Sequence, residues 1–91
     1  MQNNTVLTVT GDYVAGEMLQ VNGTDYLKRV PVFVVINVDY LPQPSILVET
    51  DRKGRFDTLW QAVSGDVIVR TYERHRKGDW TERASATLTV T

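Results

Sequence analysis

From residue 45 onward the chain alternates short β-branched runs with turn residues, and this spacing restricts the fold more than anything else in it. Residues 45–50 form a strand-like run closed by the charged turn Asp51-Arg52-Lys53-Gly54-Arg55. Phe56-Asp57-Thr58-Leu59-Trp60 follows, then a Ser64-Gly65-Asp66 turn, then Val67-Ile68-Val69. The sequence ends on Ala84-Ser85-Ala86-Thr87-Leu88-Thr89-Val90-Thr91. No segment keeps apolar residues at helical spacing over about 11 residues, so no helix is expected. Two antiparallel sheets packed face to face are what such a pattern encodes.

Side-chain alternation with a period of two assigns the faces. Residues 5–10 and 17–22 read as the first two strands, with Leu19 and Val21 on one face. Asn22-Gly23 is a turn pair, but residues 24–30 are polar and mixed, which predicts a longer loop there and not a tight hairpin. Residues 32–39 form the strongest strand, with Val32, Val34, Ile36 and Val38 on one face and Phe33, Val35, Asn37 and Asp39 on the other. Pro42 and Pro44 predict irregular chain over residues 40–44, because each proline removes a ladder donor. A strand over 45–50, suited to a sheet edge, comes next. Residues 55–61 place Phe56, Thr58 and Trp60 together, and residues 66–73 turn Val67, Val69 and Thr71 inward. A charged loop over 74–83 holds Trp80, and residues 84–91 turn Ala86, Leu88 and Val90 inward. The result is an all-β sandwich of about seven antiparallel strands.

The chain has 91 residues, 23% of them charged and 42% hydrophobic, with a formal net charge of −1. That is one domain, residues 1–91, with an ordinary folded composition. A net charge this small gives little steering toward nucleic acid or anionic membranes and leaves self-association weakly opposed. The absence of cysteine excludes thiol catalysis and thiolate metal sites. No apolar run approaches the ~20 residues of a membrane helix. Met1-Gln2-Asn3-Asn4-Thr5 has neither the basic region nor the apolar stretch of a secretory signal, and with Met1 as a native start synthesis in the cytoplasm is the expectation.

Catalytic chemistry is poorly supplied. His75 is the single histidine and lies in Arg74-His75-Arg76-Lys77, where neighbouring positive charge disfavours imidazolium and no acid is spaced to orient the ring. Ser45, Ser64 and Ser85 lack a nucleophile-elbow signature. Asp51 and Asp57 flank Gly54, but Lys53 and Arg55 fill the positions where a calcium loop needs oxygen ligands. No catalytic residue, cofactor site or metal site is expected.

The chain resembles the bacterial immunoglobulin-like repeats (Big-type domains) of surface proteins and phage virion proteins. The matching pieces are Leu7-Thr8-Val9-Thr10, Ala15-Gly16-Glu17-Met18-Leu19-Gln20-Val21-Asn22-Gly23, Asp51-Arg52-Lys53-Gly54-Arg55-Phe56, Gly65-Asp66-Val67-Ile68-Val69 and residues 84–91. The resemblance implies an immunoglobulin-like β-sandwich with no shared catalytic residues. It also implies a non-enzymatic structural or interaction module, and a small phage virion accessory protein, capsid-decorating or tail-associated, is its most concrete form. The implied partner is a virion lattice protein, the implied location the virion, and the same surfaces allow a homo-oligomer.

Three surfaces stand out. If the alternating valines of residues 32–39 and 66–73 face the core, Phe33, Val35, Ile68, Arg70 and Tyr72 share an outer sheet face that ought to be polar. Such a patch marks an interaction surface unless Tyr40, residues 42–44 or the 24–30 loop covers it. Arg52 and Lys53 in one turn, and Arg74 and Arg76 in another, fall at one pole of an immunoglobulin-like sandwich, where they form either an anion-binding tip or solvated loop charge interleaved with carboxylates. Trp80, beside this charged segment, is expected to fold over the end of the core or to be presented as a contact. Trp80, Tyr72 or Tyr26 as stacking platforms would make an alternative carbohydrate-binding or adhesive module.

Overall fold

The computed structural model describes residues 5–74 and 78–91. Eight strands follow one another: β1 (Val6–Thr10), β2 (Met18–Thr24), β3 (Pro31–Val38), β4 (Leu41–Pro42), β5 (Ile46–Glu49), β6 (Phe56–Gln61), β7 (Gly65–Arg74) and β8 (Trp80–Val90). One sheet has the order β1-β2-β6. The other has the order β4-β3-β7-β8, with β5 also paired to β3. All the strand pairings are antiparallel, and the two sheets enclose one core, so the fold is an all-β sandwich.

The core follows from the alternation. Val32, Val34 and Ile36 of β3 and Val67, Val69 and Thr71 of β7 are fully or almost fully buried, and Leu19 and Val21 of β2 meet them from the opposite sheet. Phe56 and Trp60 of β6 join them, with Ala86 and Leu88 of β8 half-buried against the cluster. Burial of each large side chain contributes about 1.5–3 kcal/mol, enough for a domain without disulfide or metal. Past β1 the chain changes sheets. Thr91 donates its N–H to the Tyr13 carbonyl and accepts one from Ala15, both at 3.0 Å, a parallel ladder step that covers the end of β8.

Four expectations need correction. First, Asn22-Gly23 does not close a strand: β2 runs to Thr24, and Gly23 lies opposite Phe56 in the ladder. Glycine is required there for space, because the Phe56 and Tyr26 rings occupy the volume of a Cβ. Second, residues 40–44 are not wholly irregular: Leu41 and Pro42 pair with Val38 and Asn37. The proline is tolerated because β4 is an edge strand. Third, the 74–83 loop is much shorter, since β7 reaches Arg74 and β8 starts at Trp80. Fourth, Tyr26 is buried at 6% exposure and its hydroxyl shares a 2.6 Å hydrogen bond with Thr71, so it is no stacking platform.

Residues 26–30 are tied down instead of free. Glu73, buried at the end of β7, accepts the Leu27 N–H at 3.1 Å and holds Arg83 Nε at 2.8 Å. Thr50 donates its hydroxyl to the Leu27 carbonyl at 2.7 Å and accepts the Val30 N–H at 2.9 Å. Burial is the largest influence on the Tyr26 phenol and raises its pKa above the ordinary 10.0. A phenol that ionises less readily folded than unfolded contributes stability fully present below pH 10 and lost as pH rises through the folded value. Alkaline denaturation monitored by circular dichroism should therefore begin later in Tyr26→Phe than in wild type. An unchanged alkaline limb would contradict this.

Candidate functional site

The outer face of the five-stranded sheet collects the apolar residues that the sequence points to. Phe33 of β3 lies opposite Tyr72 of β7 and Leu47 of β5. Val35 lies opposite Arg70, and Ile68 opposite Asn37 and Thr87. Phe33, Val35, Ile68, Arg70 and Tyr72 are all partly exposed. Tyr40 does not cover them, because it is 88% exposed at the tip of the β3–β4 turn.

Trp80 belongs to this face and not to the end of the core. Its ring packs on Phe33 with centroids 4.7 Å apart and planes at 49°. A β-bulge puts it there. Thr71 pairs with Ala84, but the next residue, Tyr72, pairs with Glu82, leaving Arg83 as an extra residue in β8. One inserted residue reverses the alternation beyond it. Arg83 reaches the buried Glu73, Glu82 lies beside Tyr72 on the outer side, and Trp80 lies opposite Arg74. The Tyr72 hydroxyl donates to Glu82 Oε1 at 3.4 Å. The face thus has an aromatic centre of Phe33, Trp80 and Tyr72, an aliphatic extension through Leu47, Val35 and Ile68, and charges from Arg70, Arg74 and Glu82.

The basic turns do converge on one pole. Arg52, Lys53 and Arg55 line an open groove with Arg29, Glu49 and Asp51, and Arg29 borders a second depression with Arg74. Arg76 lies outside the described residues. Arg29 is the member that sequence reading missed. It arrives because its N–H donates to the Asp51 carbonyl at 3.2 Å while the Tyr26 N–H donates to Gly54 at 3.0 Å, zipping the two loops together. Gly54 takes a φ of +77°, and a Cβ would run into the Tyr26 carbonyl, so only glycine fits. The Asp51 carboxylate accepts the Lys53 and Arg55 N–H groups at 2.8 and 3.0 Å. The Arg55 bond, then the Lys53 bond, lower its pKa and keep it ionised. It also pairs with Arg55 Nε at 3.5 Å. Among the described residues, neither Arg29, Arg52 nor Lys53 forms an ion pair.

No family model matches this sequence, and no curated protein matches it.

Proposed function

We propose that the chain is a non-enzymatic interaction module that docks on a protein partner through the outer face of its five-stranded sheet. The observation that supports this is the Phe33–Trp80 ring pair, which lies on the solvent side of β3 with Tyr72 and Leu47 beside it. A sheet face that serves only solubility carries polar side chains. Here the polar groups Arg70, Arg74 and Glu82 stand around an apolar centre, as the rim of a protein interface does. The sequence resemblance to bacterial immunoglobulin-like repeats supports a concrete form of this reading, an accessory protein of a phage particle, decorating the capsid or associated with the tail. Repetition on a lattice would let weak single contacts suffice.

Purified capsid and tail assemblies of the encoding particle should retain wild type and release Phe33→Ser/Ile68→Ser. Equal retention of both, or of neither, would sink the reading. Carbohydrate binding is the second reading, because Trp80 is 37% exposed with Glu82 and Tyr72 close by. The 49° tilt between Trp80 and Phe33 gives a wedge instead of a flat platform, which favours the protein partner. Glycan-array binding abolished by Trp80→Ala would reverse that order.

A further inference from the structure

The two ends of the sandwich differ in charge. At one end lie the turns around residues 11–17, 39–40 and 62–65, and these with Asp66 supply the exposed carboxylates of Asp12, Glu17, Asp39 and Asp66. Residues 11–18, 39–42 and 61–66 contain no lysine or arginine. This acidic end is also apolar: Tyr40 is 88% exposed, Leu41 66%, Val14 49% and Val63 40%. The opposite end carries the open groove where Arg29, Arg52, Lys53 and Arg55 outnumber the carboxylates of Glu49 and Asp51 on its walls.

Tyr40 is held outward at a cost in backbone freedom. Val38 and Leu41 pair, so Asp39 and Tyr40 form a two-residue turn with φ of 50° and 67°. This turn type favours Asn-Gly, and a bulky residue with positive φ is an outlier. The Asp39 carboxylate steadies the turn by accepting the Asp66 N–H at 2.9 Å. With 88% of its surface exposed, the Tyr40 ring does little for the fold, so its place at this tip points outward to a contact.

We propose that the acidic, tyrosine-bearing end docks into the basic groove of a second copy, so that molecules associate head to tail along the 38 Å axis. The Tyr40 ring enters between guanidinium groups, which are attracted to aromatic faces. Asp39 and Asp66 meet the cations Arg52 and Lys53, which form no ion pair among the described residues. Each contact leaves one tip and one groove open, so association continues past the dimer. It uses the ends of the molecule, not the sheet face, and stands independently of the function proposed above.

Sedimentation velocity tests this in the Phe33→Ser/Ile68→Ser background, which takes the sheet face out of self-association and leaves both ends intact. In about 20 mM salt the mass of this protein should keep rising with concentration, and the association should weaken about tenfold or more in about 500 mM salt. Tyr40→Gly relieves the positive φ, so its Tm should hold or rise while association weakens about tenfold. Arg52→Glu/Lys53→Glu should also associate weakly. Mixed together, the two variants should form one-to-one pairs, because each keeps the end that the other has lost. In that background, a protein that stays monomeric in low salt, association that ignores salt or survives in Tyr40→Gly, or a mixture no heavier than its components would each overturn the proposal.

Discussion

Gly23→Val should cost about 3 kcal/mol or more and lower the Tm by roughly 12–24 °C, the largest effect expected of a single substitution here. Gly23 is buried at the last pair of the β2–β6 ladder, opposite Phe56, and its backbone is not in the left-handed region. The penalty is therefore one of space. A Cβ would overlap the Phe56 ring and stand 2.6 Å from Tyr26 Cε1. Neither ring can yield freely, because the two pack edge to face at 5.2 Å and the Tyr26 hydroxyl is bonded to Thr71. Urea unfolding followed by tryptophan fluorescence measures the loss. Phe56→Leu placed in the same chain should recover part of it, a coupling of about 0.5–3 kcal/mol. Additive losses, or a Gly23→Val protein as stable as wild type, would show that the rings move aside.

Arg83→Met should cost about 3 kcal/mol, toward the lower end of what breaking a buried ion pair costs. Glu73 has a side chain only 3% exposed, and Arg83 Nε lies 2.8 Å from it. Removing the cation leaves a buried carboxylate that keeps, among the described residues, the hydrogen bond from the Leu27 N–H. The magnitude sits at the lower end because Arg83 itself is 28% exposed and water can enter its place. The double variant Glu73→Gln/Arg83→Met should be more stable than Arg83→Met alone, since the stranded charge is gone. An Arg83→Met loss within about 0.5 kcal/mol of zero would mean that solvent already neutralises Glu73.

The inner faces were legible because they need only alternation. Val32, Val34, Ile36, Val67, Val69 and Leu19 are buried as their spacing implies, and the same alternation puts Phe33, Val35, Ile68 and Tyr72 outside. What could not be read depends on contacts distant in sequence. The bulge at Arg83 exists because Glu73 lies ten residues earlier on the neighbouring strand, and nothing local marks it. Extending the inward positions Ala86 and Ala84 back two by two puts Trp80 over the core, whereas the bulge turns it onto Phe33. Gly23 misled in the same way. Asn-Gly is a turn signal in isolation, but this glycine makes room for Phe56, a residue more than thirty positions away. Tyr26 looked like part of a polar loop and is buried because Thr71 supplies its hydroxyl with a partner. Arg29 joins the basic pole only through the bonds that zip its loop to residues 51–54.

The central claim is that the Phe33–Trp80 face is reserved for docking, and light scattering coupled to size-exclusion chromatography tests it most directly. A free apolar face pairs with itself when no partner is present. Wild type should therefore form a dimer in high salt as concentration rises, because apolar contacts are not screened. Phe33→Ser/Ile68→Ser should remain folded, since neither side chain belongs to the buried core, and should run as a monomer in high salt. A wild type that stays monomeric at all accessible concentrations in high salt, or a double variant that still dimerises there, would contradict the account.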